Sequence, residues 1–483
     1  MLYHSTRGSA EELTAGAAIL KGIAGDGGLY VPESFPDIGD MPRLYTMPYG
    51  SLAKEILRLF LTDYTEAELS EAIDQAYDAK FDTEAIAPLT ERGGYYFLEL
   101  FHGRTLAFKD MALSLLPRLL KIAARKQGIF GGITVLTATS GDTGKAALEG
   151  FAGAEGIDIV VFFPEDGVSE MQKRQMRTQD GANTHVIGVY GNFDDAQTGV
   201  KRIFAQGIPG VYLSSANSIN IGRLLPQIVY YFCAYSQMIE RYRLKPGDSV
   251  NFTVPTGNFG NILAGYYARR MGLPINKLIC ASNDNRVLYD FFQTKEYDKN
   301  RLFIPTVSPS MDILVSSNLE RLLYHISGSA LTNEYMEQLS KEGCYKFVGD
   351  AEGFAAEFAV QDECFEGIRE LYEDSGYVID THTAVAFKAY QKYRDRTGDN
   401  TPNIILATAS PFKFPESVCA AIDGKYAGMG AFESVRALSG LTGSGIPEQI
   451  ASLEHKENRH TRVCTPADMR IALIEELPYT HSK

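Results

Sequence analysis

Two glycine-rich turns limit what this chain can fold into. Thr139-Ser140-Gly141-Asp142-Thr143-Gly144 and Thr256-Gly257-Asn258-Phe259-Gly260-Asn261 each follow a strand-like apolar run and precede a helix-like one. At such junctions a chain offers free backbone N–H groups, and the positive end of a helix, to a phosphate. The same unit recurs, with strands expected over 132–137, 157–164, 184–189, 211–214, 249–254, 278–282 and 403–408. The run at 157–164 is apolar except for Asp158, as suits a strand buried on both faces of a parallel sheet. Alternation of this kind predicts open α/β sheets with helices on both sides.

A strand over 95–100 leads into Phe101-His102-Gly103-Arg104-Thr105-Leu106-Ala107-Phe108-Lys109-Asp110. Lys109 stands between an aromatic residue and a carboxylate, and a lysine held in an apolar pocket can lose its proton and act as an amine nucleophile. A lysine at the start of an amphipathic helix is ordinarily a solvated charge; the two glycine turns downstream change that weighting. One activatable amine with two anion cradles suggests a phosphorylated aldehyde cofactor, a phosphorylated substrate, or both. A nucleotide P-loop at Ser140-Gly141-Asp142-Thr143-Gly144-Lys145 fails its template twice. Thr139 stands where the first glycine belongs, and Ala146 replaces the hydroxyl that would hold magnesium.

Helices are expected over about 9–20, 52–61, 66–79 and 111–123. Thr65 is placed to cap the third, with Glu68 three residues on, and Pro117 to kink or locally unwind the fourth. The 322–374 region reads as mostly polar and helical, and beyond Glu416 only weak helices and a polar tail stand out. The 483 residues are enough for two or three domains. A formal net charge of −14 argues against nucleic acid or an anionic membrane surface as the main partner. Positive charge must therefore be concentrated locally if a phosphate is handled. The six cysteines are scattered without a C-x-x-C pair, which fits reduced thiols in a cytoplasmic enzyme. No signal peptide is expected, and the apolar stretch at 224–235, broken by Pro226 and Gln227, reads as a buried helix.

With these residues in place, the chain resembles the threonine synthases, pyridoxal-phosphate enzymes of the tryptophan-synthase-β-like fold (fold type II) that convert O-phosphohomoserine to threonine and phosphate. The resemblance runs from Tyr3-His4-Ser5-Thr6-Arg7-Gly8 to about Glu416. It implies two open α/β domains and an N-terminal, mainly helical domain: 1–95 as the N-terminal domain, 96–130 with 245–483 as the large cofactor-binding domain, and 131–244 as the small one. It also implies that Lys109 holds the cofactor covalently and then shuttles protons. Gly257, Asn258, Phe259, Gly260 and Asn261 would cradle the cofactor phosphate, Asp142 would lie near the ring hydroxyl, and Thr408 would hydrogen-bond the pyridine nitrogen. Thr139 and Thr143 would face the substrate phosphate and Ser140 its carboxylate region. Asn217 and Arg223, in Asn217-Ser218-Ile219-Asn220-Ile221-Gly222-Arg223, would hold the phosphate that leaves, the planar guanidinium suiting its oxygens. His382, in Thr381-His382-Thr383-Ala384-Val385, is expected behind the cofactor.

The family pattern is broken twice. Arg104 stands where proline usually follows His-Gly, and Ser410 where histidine usually follows the threonine by two places. The implied enzyme takes a small-molecule substrate as a monomer or homodimer. A phospho-lyase of the same family, releasing a 2-oxo acid instead of threonine, shares the elimination residues, and a catalytically retired cofactor-binding protein is opposed by the intact lysine and turns.

Overall fold

The structure, a computed structural model, describes residues 1–477 apart from Asp40, Gly131, Ser140 and Gly167. Two sheets organise it. The larger has six strands in the order Phe354–Phe358, Ile275–Ser282, Val250–Pro255, Asn403–Ala407, Tyr95–Glu99 and Leu89–Arg92. All neighbours are parallel except the edge hairpin of Leu89–Arg92 with Tyr95–Glu99. The smaller is wholly parallel, in the order Val463–Cys464, Thr184–Val189, Ile157–Pro164, Ile133–Ala138 and Tyr212–Ser215. Its middle three strands are buried along their whole length, as parallel strands covered by helices on both faces must be.

Most expected elements appear within a residue or two of their expected bounds. The strands Ile157–Pro164 and Thr184–Val189 coincide with expectation. Helix Glu66–Ala76 starts from a full capping box between Thr65 and Glu68. The first helix starts later than expected, at Ala15, because Thr14 caps it by accepting the Ala17 N–H. Pro117 does what its missing N–H requires: the expected helix is split into Asp110–Leu113 and Leu116–Lys126, with the proline in the first turn of the second. The 322–374 region holds strands that the sequence reading omitted, Cys344–Lys346 and Phe354–Phe358, the latter forming one edge of the larger sheet. The tail also crosses over. Val463–Cys464 joins the smaller sheet as its edge beside Thr184–Val189, outside the 131–244 range expected for that sheet.

Helix Ile221–Tyr242 is buried from Ile221 through Ser236. Pro226 sits early in it, where one carbonyl loses its partner and the helix continues. Among the described residues, no helix is long and apolar enough to cross a membrane. A single apolar cluster joins this helix, the N-terminal helices and the facing sides of both sheets. Separate clusters lie over the far side of the larger sheet, around helix Thr381–Thr397, and over the far side of the smaller one. The arrangement brings loops together at the carboxyl ends of the strands, where open parallel sheets bind ligands. Three adjacent strands of the larger sheet lead into the Gly257 turn, Thr408 and the lysine block. Two adjacent strands of the smaller sheet lead into the Thr139 turn and the Asn217–Arg223 block.

Candidate active site

Lys109 is the residue immediately before helix Asp110–Leu113, and its side chain is buried. Its Nζ donates to Ser310 Oγ at 3.1 Å and lies 3.6 Å from Asp142 Oδ2. Burial pulls the ammonium down to about 8; Asp142 opposes this, and the positive charges of Lys413 and Arg223 reinforce it. A lysine so placed gives up its proton more readily than an exposed one, as an amine nucleophile must. The block is tied to the next strand's end, since the Phe108 N–H donates to the Thr408 carbonyl at 2.8 Å. Asp110 faces inward, its carboxylate accepting from the backbone and hydroxyl of Thr105. Burial raises it to about 6.

Asp142 opens helix Asp142–Phe151. Its carboxylate accepts from Lys413 Nζ at 2.9 Å and from Gln172 Nε2 at 3.1 Å. Burial alone would lift this carboxyl; Lys413, then Lys109 and His382, overturn the effect and hold it well below the usual carboxylate range. Thr139 Oγ1 accepts from the N–H groups of Gly141 and Gly144, both at 2.9 Å, so this hydroxyl shapes its own turn. Thr143 is partly exposed beside it. Ser140 lies outside the described residues.

The turn at 257–261 is an open donor set. Among the described residues, none of its five backbone N–H groups has a hydrogen-bond partner. Its carbonyls, by contrast, are occupied: Gly257 O accepts Ser316 Oγ at 2.7 Å, and Asn258 O accepts both the backbone and the side-chain amide of Asn318. Phe259 adopts a left-handed backbone with φ 64° and starts helix Gly260–Arg270. Its ring stacks on Phe292 and Phe354, which anchors a conformation that disfavours side chains. Asn261 is held by the Tyr230 and Tyr231 hydroxyls on Oδ1, and its buried Nδ2 has no hydrogen-bond partner among the described residues.

Arg223 is buried, with one N–H group donating to the Ala216 carbonyl at 2.7 Å. Among the described residues its Nε lacks a hydrogen-bond partner, as does the buried Oδ1 of Asn217. Burial brings the guanidinium down to about 10, and it forms no ion pair among the described residues. The unpaired N–H groups of Arg223 Nε and Asn261 Nδ2, a free-amide turn and a depressed lysine in one place fit a phosphorylated aldehyde and a second phosphate, because each unpaired donor then gains an oxygen to bind.

Ser310, Ser316, Asn318 and Lys413 had no role in the sequence reading. Ser310 joins the site together. Its hydroxyl lies between Lys109 and Asp142, its N–H donates to His382 Nε2 at 3.1 Å, and its carbonyl packs on Gly257. The other ring nitrogen of His382, Nδ1, lies 2.7 Å from Asp380 Oδ2. Irregular loops bring these residues in from far along the chain, and no local motif announces them. Ser410 caps the short turn Pro411–Lys413 by accepting the Phe412 N–H, which sets Lys413 in place. Arg104 points outward and pairs with Glu149.

Comparison with known proteins agrees along the whole chain. The family described as Pyridoxal-phosphate dependent enzyme matches residues 83–408, flanked by Threonine synthase N terminus at 2–77 and Threonine synthase, C-terminal at 383–473. The chain is 40% identical to the threonine synthase of Pseudomonas aeruginosa over 494 residues, covering 100% of this chain and 98% of that one. Its structure is similar to the X-ray structure of PLP-bound threonine synthase from Brucella melitensis, with TM-score 0.87, 35% identity and 100% of both chains covered. Threonine synthase from yeast matches with TM-score 0.88 and 32% identity over 99% of each chain. The chain belongs to the threonine synthase family.

Proposed function

We propose that this protein converts O-phospho-L-homoserine and water to L-threonine and phosphate, with pyridoxal phosphate as its cofactor. The observation that carries the reading is the pairing of a readily deprotonated, buried Lys109 with two separate anion sites, one of free amides and one around an unpaired guanidinium. Pyridoxal phosphate supplies an electron sink for negative charge at the carbon next to a bound amino group. Lys109 would hold the cofactor when substrate is absent and, once freed, take the proton from Cα. The 257–261 amides would hold the cofactor phosphate. Thr408 would meet the ring nitrogen, and Asp142 the side bearing the ring hydroxyl.

Arg223 and Asn217 would grip the substrate phosphate, with Thr139 and Thr143 nearby and Ser140 toward the carboxylate. As the Cγ–O bond breaks, charge grows on the departing phosphate, and a fixed guanidinium in a dry site stabilises it most at that moment. Protons leave Cα and Cβ, protons return to Cγ and Cα, and water adds its hydroxyl at Cβ. The same reading treats 1–95, 96–130 with 245–483, and 131–244 as three domains, the smaller sheet taking its last strand from the tail. It makes the protein a cytoplasmic monomer or homodimer with a small-molecule partner, in keeping with its acidic charge and unpaired cysteines.

Incubation with O-phosphohomoserine, following phosphate release and identifying the organic product, tests the reading. Equimolar phosphate and threonine are expected. Phosphate with a 2-oxo acid would make the chain a phospho-lyase instead.

A further inference from the structure

Asp142 faces two lysines, and they are not equivalent. Lys413 Nζ lies 2.9 Å from Oδ1, while Lys109 Nζ lies 3.6 Å from Oδ2. Lys413 is 0% exposed, and it also donates a bond to the Thr105 carbonyl at 2.9 Å, inside the lysine block itself. A fully buried ammonium beside a working lysine raises the electrostatic cost of the site, so it needs a reason to be there. The reason lies in the change of charge on Lys109. A carboxylate left alone against Lys109 would hold that lysine as an ammonium and would itself be stranded, buried and unpaired, whenever Lys109 became neutral.

We propose that Lys413 is the standing counter-charge of Asp142, a positioning residue that keeps this carboxylate ionised in place and leaves Lys109 free of it. The inference rests on the reading of Lys109 as the cofactor anchor. Geometry favours it three times over: the shorter distance goes to Lys413, the Ser410 cap fixes the turn that carries it, and Gln172 holds the same carboxylate oxygen. Around Lys109 the charged groups are Asp142, Lys413 and Arg223. His382 also acts on Asp142, and Asp110, bound to Thr105, is acted on by Lys413. Arg223 and Lys413 both push against a charge on Lys109, but only Lys413 touches the carboxylate.

The test reads the Lys109 amine directly, in the full-length chain freed of cofactor, as the pH dependence of its acetylation by acetic anhydride, quantified by peptide mass spectrometry. In Lys413→Met the midpoint is expected to rise by about one pH unit or more, since an unshared carboxylate then stabilises the Lys109 ammonium. In the double variant Lys413→Met/Asp142→Asn the midpoint should return to within about half a unit of the parent, because a neutral amide needs no counter-charge. An unmoved midpoint in Lys413→Met, or a double variant displaced as far as the single, overturns the proposal. If Lys413→Met alone does not fold, the double must fold with the parent's midpoint; its failure to do so also overturns it. Failure of the parent to bind pyridoxal phosphate would sink the anchor reading instead, without altering these midpoints.

Discussion

Arg223 carries its charge into the interior with a carbonyl as its hydrogen-bond partner and Nε unpaired. Such a group destabilises the fold until an anion arrives, so function and stability should part company at this position. Arg223→Met is expected to leave resistance to urea unchanged or to raise it by about 1–4 kcal/mol. The same change should lower kcat/KM for the phosphorylated substrate by about 10²–10³-fold. A variant that is weakened but kinetically intact would place the substrate phosphate elsewhere. Lys109 offers a sharper contrast. Lys109→Ala should abolish turnover and the visible absorbance that arises when the cofactor is bound through its aldehyde, and retention of either in the purified variant would refute the anchor. In the sequence, Lys109 stands out by the aromatic residue and carboxylate that flank it, and Arg223 by the resemblance of its block to the threonine synthases. Lys413 does not, because only the folded chain places it against Asp142, far upstream.

The glycine turn works as an element because a second loop holds it from behind. Ser316 and Asn318 occupy the carbonyls of Gly257 and Asn258, and the amides of the turn have no hydrogen-bond partner among the described residues. Gly257 must be glycine for a packing reason: a Cβ there would press into the Ser310 carbonyl oxygen, well inside contact distance. Gly257→Ala should therefore push the two loops apart, costing about 1–3 kcal/mol of stability and weakening cofactor binding, measurable by urea unfolding and by titration with pyridoxal phosphate. Unchanged affinity would show that the 308–318 loop does not set the cradle. Elements with strong local signals were readable in advance: the β-branched runs of the smaller sheet, the Thr65 box and the break at Pro117. Phe354–Phe358 was not, since its sequence, Phe-Ala-Ala-Glu-Phe, lacks β-branched residues and is held at the sheet edge by pairing with Ile275–Ser282. The 308–318 loop has little regular structure to read, and it matters through contacts that span long stretches of chain.

At the scale of the whole molecule, the N-terminal residues are bound to the chemistry by one part-buried ion pair and a set of hydrogen bonds around it. Thr6 and Arg7 both donate to Glu320, and the next residue, Arg321, donates to the Tyr30 and Ile219 carbonyls and to the Asn318 side chain. One short helical stretch thus touches the N-terminal segment, the Asn217–Arg223 block and the support of the cofactor turn. A second tie lies on the other side. His102 bridges Asp82, beyond the N-terminal helices, and Glu99, at the end of the strand Tyr95–Glu99 of the larger sheet. Burial works against charge on His102, yet its bonds to Glu99 and Asp82 win and raise it above its usual value. Burial likewise lifts Glu99, and His102 and Tyr377 bring it below. A histidine raised on folding stabilises fully below its unfolded value of about 6.5 and loses that contribution as pH climbs through its folded value. A carboxylate lowered on folding contributes above about 4.5 and loses it as pH falls through its folded value. The clamp is therefore strongest near pH 6. His102→Gln should cost about 1–2 kcal/mol there, with the deficit shrinking toward pH 9 as the parent's imidazole becomes neutral. Urea unfolding of both proteins at the two pH values decides the matter. An equal deficit at both would mean that His102 serves by packing, and that the N-terminal helices are joined to the central sheet without help from its charge.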